Sequence, residues 1–235
     1  MRATIKEKRE VAQGTLLVLF DLEGAEVDYQ PGQYFWVELV DPPYTDEKGP
    51  RRHITIVTSP TERGIMGLCT RIRDTAFKRS LEELPEGAPV EVEEPKGTFV
   101  LPEDPDAPLV FIAGGIGITP FRSMVRYMAD RGLDLPVTLI YSNRDSESTA
   151  FLDELREIDA QLDRFKLVLT MTGEPDFEGE NRRVDADLLS DHLGDLSQYR
   201  FMVAGPPAMA DGIIAVLHEA GVAEDRIARD GFAGY

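Results

Sequence analysis

Hydrophobic and polar positions along this chain change rhythm near its middle. Up to about residue 101, apolar residues come in short runs set between Gly and Pro turns. Gly14–Leu22 carries Thr-Leu-Leu-Val-Leu-Phe, and Tyr34–Val40, after the turn Gln30-Pro31-Gly32, is rich in aromatic and β-branched residues. His53–Thr58, Ile65–Ile72 and Pro89–Glu94 continue the series. Short strands with this punctuation predict a small closed antiparallel barrel of five or six strands. One helix interrupts them. Asp74-Thr75 can cap Ala76–Glu83, and Leu84-Pro85-Glu86-Gly87 ends it.

Beyond residue 108 the period lengthens. Strand-like runs at Leu109–Ala113, Val137–Tyr141, Lys166–Thr170, Arg200–Ala204 and Arg226–Arg229 alternate with helical stretches near 119–131, 147–162, 185–193 and 207–220. Such alternation calls for a parallel sheet covered by helices on both faces. Between the halves, 101–108 holds three prolines and three acids, the composition of a linker. The expected architecture is an antiparallel β-barrel domain over 1–101, a linker over 102–108 and a doubly wound α/β domain over 109–235.

Composition adds exclusions. The 235 residues hold 43 acids against 25 bases, a net charge of −18, with most of the excess in the second half. Such a field repels polyanions, so nucleic acid is not expected as a partner. Acid-rich, lysine-poor composition also resembles proteins of salt-loving organisms. No run of about 18 apolar residues predicts a membrane span, and the charged N-terminus does not read as a secretory signal, so a cytoplasmic location is expected. The single cysteine, Cys69, excludes an iron–sulfur cluster held by four cysteines of this chain. It sits in a strand-like run and reads as a buried, inert thiol. The three histidines form no metal pattern.

The candidate chemistry starts at Leu109–Pro120. An apolar strand runs into Gly114-Gly115-Ile116-Gly117, and Thr119-Pro120 then begin a helix. Glycines let backbone take positive φ or approach a ligand closely, and the free N–H groups of a helix N-terminus attract phosphate. Upstream lies Arg52-His53-Ile54-Thr55, followed by Thr58-Ser59-Pro60; downstream lies Ala204-Gly205-Pro206.

Together these motifs resemble the ferredoxin–NADP reductase superfamily, from about Gln30 to the C-terminus. The resemblance implies a flavoprotein that holds FAD mostly on its barrel and binds NADH or NADPH on its α/β half. Arg52 would meet the flavin pyrophosphate and Ile54 would pack on the ring where relatives carry an aromatic residue. Thr55 would place its hydroxyl near the reactive N5, with His53 on the same strand. Thr70–Lys78 would form the second flavin segment, with Arg71, Thr75, Ala76 and Phe77 at the cofactor, without the glycines usual there. Asp230 would stand in for an acid near N5, and Phe232 or Tyr235 would cover the ring.

For the nicotinamide nucleotide, the resemblance implies Gly114, Gly115, Gly117, Thr119 and Pro120 at the pyrophosphate. It places Ser142, Asn143, Arg144 and Arg183 around the adenosine, and Ala204 (in place of a cysteine), Gly205 and Pro206 beside the nicotinamide. The residues bearing on NADH against NADPH are divided, with a slight lean to NADH. The implied activity passes electrons between NAD(P)H and a separate one-electron acceptor protein such as a ferredoxin, with Thr55 and Asp230 as the catalytic pair. A flavin reductase releasing reduced flavin, and a non-catalytic redox subunit of a larger complex, are the alternatives.

Overall fold

The computed structural model describes residues 1–231; Phe232 and Tyr235 lie outside the described residues. The first half is a six-stranded antiparallel sheet with strand order β4-β3-β6-β1-β2-β5. Its strands are β1 (Arg2–Ala12), β2 (Thr15–Asp21), β3 (Tyr34–Leu39), β4 (Arg51–Thr55), β5 (Ile65–Arg71) and β6 (Pro89–Val92). The sequence reading left out β1. Ala3 and Ile5 point into the core, but the following Lys-Glu-Lys-Arg-Glu run hides the alternation. β4 ends at Thr55, earlier than expected. There the chain crosses to the far edge of the sheet, and the Val57 N–H donates to the Gly67 carbonyl at 2.9 Å, joining the two edges.

Helix α1 (Ala76–Glu83) forms as predicted, with the Thr75 hydroxyl accepting from the Lys78 N–H. It buries Phe77 and Leu81 in the barrel core beside Phe20, Phe35 and Val37.

The second half is a five-stranded parallel sheet, ordered β11-β10-β7-β8-β9. It comprises β7 (Leu109–Gly114), β8 (Val137–Asn143), β9 (Phe165–Met171), β10 (Arg200–Ala204) and β11 (Ile227–Arg229). Helices α2 (Ile118–Arg131) and α3 (Leu152–Gln161) cover one face; α4 (Ala186–Leu193) and α5 (Pro207–Glu219) cover the other. All six residues of the central strand β7 are buried, as its unbroken apolar run requires.

Helix α3 is shorter than the predicted 147–162. The Asp145 carboxylate accepts from the Ser148 N–H at 2.9 Å and draws 145–149 into a turn, and Phe151 then sits at φ +60°. A side chain in the left-handed region cannot continue a right-handed helix.

The halves share a core. Leu17, Val57, Cys69 and Leu101 pack with Phe111, Phe121 and Met124 of the α/β half. The Phe121 ring stacks on Phe111 at 4.8 Å and meets Phe99 edge-on at 5.8 Å. The proline-rich segment 102–108 joins the sheets and is pinned where Asp106 pairs with Arg200.

Candidate functional site

A cleft of about 990 Å³ opens between the two sheets, at the upper end of the size of small-molecule sites. From the barrel it is lined by Arg52–Thr55, by Arg71 and by the first turn of α1, Thr75–Lys78. From the α/β half come Gly117, Gly205–Pro207 and Arg229–Gly231. Because β4 is an edge strand, side chains from both of its faces reach the cleft. Arg52 and Ile54 lie opposite Val37 and Phe35 on the core-facing side, while His53 and Thr55 lie opposite Trp36 and Tyr34.

Every barrel residue expected at the flavin is in this cleft: Arg52, His53, Ile54, Thr55, Arg71, Thr75, Ala76 and Phe77. Arg52 is only 8% exposed. Its Nη1 donates to the carbonyls of Lys48, Gly49 and Arg51 at 3.1, 2.8 and 2.7 Å. Its Nη2 stands 3.5 Å from Asp46, and the guanidinium lies over the Phe77 ring. The His53 imidazole packs against Tyr34 and Trp36, and burial lowers its pKa. Asp230 lies opposite. Among the described residues its buried Oδ2 has no hydrogen-bond partner, and burial pushes its pKa up to about 6.

The nucleotide residues divide into two groups. Gly114–Gly117, Ser142–Arg144 and Ala204–Pro206 stand together at the carboxyl ends of β7, β8 and β10. Open α/β sheets bind ligands at this edge, where successive connections leave in opposite directions. Gly115 has φ +52°, and a Cβ on Gly117 would run into the Ala204 carbonyl. Of this set, Ile116, Gly117, Gly205 and Pro206 reach the large cleft.

Thr119 and Pro120 are buried in α2, where the Thr119 hydroxyl donates to the Ile116 carbonyl at 3.2 Å. They hold the turn together rather than line the cleft. Asn143 is buried too, whereas the Arg144 side chain is 85% exposed beside Gly173. Arg183 is exposed; its neighbour Arg182 is engaged by Glu180 and Asp191.

Sequence reasoning did not single out Tyr34, Trp36 or Lys48 as lining residues. Arg73 and Lys78 lay inside the segment read for flavin, and Arg229 opened the C-terminal segment read as reaching over the ring, without a role assigned to any of the three. Among the described residues, six bases line the cleft (Lys48, Arg52, Arg71, Arg73, Lys78, Arg229) against three acids, Asp46, Asp74 and Asp230. In a chain of charge −18 this local reversal favours anions.

Residues 2–101 match the oxidoreductase FAD-binding domain family, and residues 111–214 match the oxidoreductase NAD-binding domain family. The ferredoxin–NADP+ reductase of Neisseria gonorrhoeae, solved with FAD and NADP, has the same fold. Its TM-score is 0.82 at 20% identity, over 98% of this chain and 97% of that one. The chain belongs to the ferredoxin–NADP reductase superfamily.

Within this superfamily, the Amycolatopsis cytochrome P450 reductase structure has a TM-score of 0.82 at 26% identity, covering 99% of this chain and 70% of its own. The reductase component of propane 2-monooxygenase from Gordonia sp. is 27% identical over 90% of this chain and 61% of its own. The electron transfer component of 2-halobenzoate 1,2-dioxygenase from Burkholderia cepacia is 31% identical over 80% of this chain and 54% of its own. The chain thus spans little more than half of these two curated relatives. As a member of the superfamily, it is an oxidoreductase with FAD and nicotinamide-nucleotide domains. The cleft fits FAD: it has the volume, an excess of cationic side chains, and an uncompensated carboxyl at its wall.

Proposed function

We propose that this protein takes a hydride from NADH or NADPH onto FAD and passes the electrons to a separate acceptor protein. One observation carries the reading: a single cleft brings the barrel residues Arg52–Thr55 and Thr75–Lys78 against Gly117, Gly205–Pro207 and Asp230 of the α/β half. Relatives that are reductase or electron transfer components of oxygenases support a protein acceptor.

When bound, FAD accepts a hydride and can release its electrons one at a time. The chain supplies position and electrostatics. Gly117 and Gly205 keep side chains off the nicotinamide side, so the two ring systems can approach. Holding reactants in a near-attack geometry lowers a barrier by up to ~7–11 kcal/mol. Ile54 gives an apolar contact to one wall, and Thr55, 6% exposed, offers a hydroxyl beside it. With its pKa pushed up to about 6, Asp230 is mostly ionised at pH 7 but takes up and releases a proton close to neutral pH, as a group that exchanges protons beside the cofactor needs to.

The test is anaerobic. FAD-loaded protein is mixed with NADH or NADPH while flavin absorbance is followed, and a [2Fe–2S] ferredoxin or free riboflavin is then added. Rapid flavin bleaching and ferredoxin reduction support the proposal. Electron delivery only to free riboflavin would make the protein a flavin reductase, and absence of bleaching would make it a non-catalytic binding subunit.

A further inference from the structure

Two successive carbonyls of the barrel are held by two successive side chains of the α/β half. Arg122 donates through Nη1 to the Val57 carbonyl at 3.2 Å, and the Ser123 hydroxyl donates to the Thr58 carbonyl at 2.6 Å. None of the four residues is more than 8% exposed. The Glu62 carboxylate closes this joint, accepting from the Ser59 N–H at 2.6 Å while it pairs with the Arg122 guanidinium.

The place of each residue on its element gives the joint its meaning. Val57 and Thr58 continue directly from β4, whose end, Thr55, lines the cleft. On its other side this segment is fixed to β5: the Val57 N–H donates to the Gly67 carbonyl, and the Gly67 N–H donates to the Thr58 hydroxyl at 3.1 Å. Arg122 and Ser123 lie in the second turn of α2, the helix into which the Gly114–Gly117 turn runs. The joint therefore connects the strand that carries Arg52–Thr55 to the helix that begins at the glycine turn.

Resting on the reading that FAD takes a hydride from a nicotinamide nucleotide in this cleft, we infer that Arg122 and Ser123 are positioning residues for that transfer. They set the register of one ring system against the other, and neither is among the described residues that line the cleft. Apolar packing of Leu17 and Val57 on Phe111 and Phe121 is non-directional, so it holds the halves together without fixing a register. Other polar bridges between the halves lie elsewhere. Gln13 and Arg71 reach the loop after β8, and Thr61 meets Asp130 near the far end of α2. None of these joins β4 to the start of α2. A displacement of about 1 Å at the reacting centre can slow a reaction about 100-fold.

Stopped-flow reduction of the FAD-loaded protein separates positioning from binding. NADH or NADPH, and the same nucleotide deuterated at the transferred position, are mixed anaerobically with wild type and variants. The limiting rate of flavin bleaching reads the hydride step, and its concentration dependence reads the nucleotide Kd. Ser123→Ala should slow limiting bleaching about 3- to 10-fold, and Arg122→Met at least about tenfold. Both should keep a primary isotope effect, their FAD, and a nucleotide Kd within about threefold of wild type, because each half retains its own ligand contacts. Arg122→Lys, which keeps the charge and loses the fork, should fall between Arg122→Met and wild type. Glu62→Gln should slow bleaching by itself and add nothing in the Arg122→Met background, since it acts through the same guanidinium. Leu193→Ala opens a cavity under α4, on the opposite face of the sheet. It should lower stability and leave the limiting rate within about twofold.

A limiting rate within about twofold of wild type in both Ser123→Ala and Arg122→Met overturns the inference. So does equal slowing in Leu193→Ala, which would trace the effect to stability alone. Slowing that is matched by lost FAD or a raised nucleotide Kd also overturns it, by making the joint part of a binding site. If neither nucleotide bleaches the wild type, the hydride reading itself falls, and the inference falls with it.

Discussion

Arg122 of the α/β half grips Glu62 of the barrel, with Nη2 3.2 Å from Oε1. The same guanidinium takes Glu154 of α3 through Nη2 at 2.8 Å and Nε at 3.0 Å, and donates to the Val57 carbonyl. Only about a tenth of the Arg122 side chain is exposed. Burial opposes its charge, but the two carboxylates outweigh that and hold it protonated. One side chain therefore ties a barrel loop to two helices and sets how the walls of the cleft face each other.

Arg122→Met should destabilise the protein by about 3 kcal/mol, because removing one member of a buried ion cluster leaves the others uncompensated. Glu62→Gln, which keeps a polar head and leaves Glu154 in place, should cost about 1 kcal/mol. Denaturant unfolding of the FAD-loaded protein checks both. Equal, negligible losses would show that the clasp adds nothing to stability.

Gly115→Val should abolish tight nicotinamide-nucleotide binding while FAD stays in place. At φ +52° a β-branched side chain is strained, and it would also press toward the Arg71 guanidinium. We expect the nucleotide Kd to rise at least about tenfold at unchanged flavin content. A normal nucleotide Kd would remove the turn from the binding site.

The carboxyl of Asp230 sets a pH dependence with a definite sign. Its folded pKa, about 6, lies above its ordinary value of 3.8. The folded apoprotein therefore binds the proton more tightly than the unfolded chain. This contribution to stability is fully present below about pH 4 and is lost as pH rises through about 6. A shift of two units corresponds to about 3 kcal/mol as an upper value. Unfolding of apoprotein across pH 4–7 should therefore fall more steeply in wild type than in Asp230→Asn. Parallel curves would mean that Asp230 titrates normally.

Salt should stabilise the chain. At −18, self-repulsion is strong when ionic strength is low, and screening lengths shrink from ~30 Å at 0.01 M to ~3 Å at 1 M. We expect the melting temperature to climb from low to near-molar KCl. A climb that continues beyond the range of simple screening marks adaptation to a saline cytoplasm; a flat or falling profile refutes that adaptation.

Much of this protein can be read directly from its sequence, where local pattern and backbone conformation act together. The apolar run Leu109–Ala113 could only be a strand buried on both faces, and Gly114–Gly117 could only follow it as a turn. Arg52–Thr55 is assigned to the flavin by its resemblance to the superfamily motif; as a local pattern it reads equally as a strand with a surface arginine. Where charge masks periodicity the pattern failed, as in β1, whose Ala3 and Ile5 are followed by five charged residues. Local capping also overrode it at Asp145, which shortened α3.

Pairings between residues distant in sequence were decided by the tertiary structure alone. Arg122 reads as one more charge on an amphipathic helix until folding brings Glu62, sixty positions away, against it. That the Lys48 and Gly49 carbonyls would accept from the Arg52 guanidinium could not be read from the motif. Lys78 reads as one more charge on a surface helix until folding places it on the wall of a cleft. Periodicity reports which face of an element is buried. Which charge is already compensated depends on distance in space, and that is set only when the sheets close on each other.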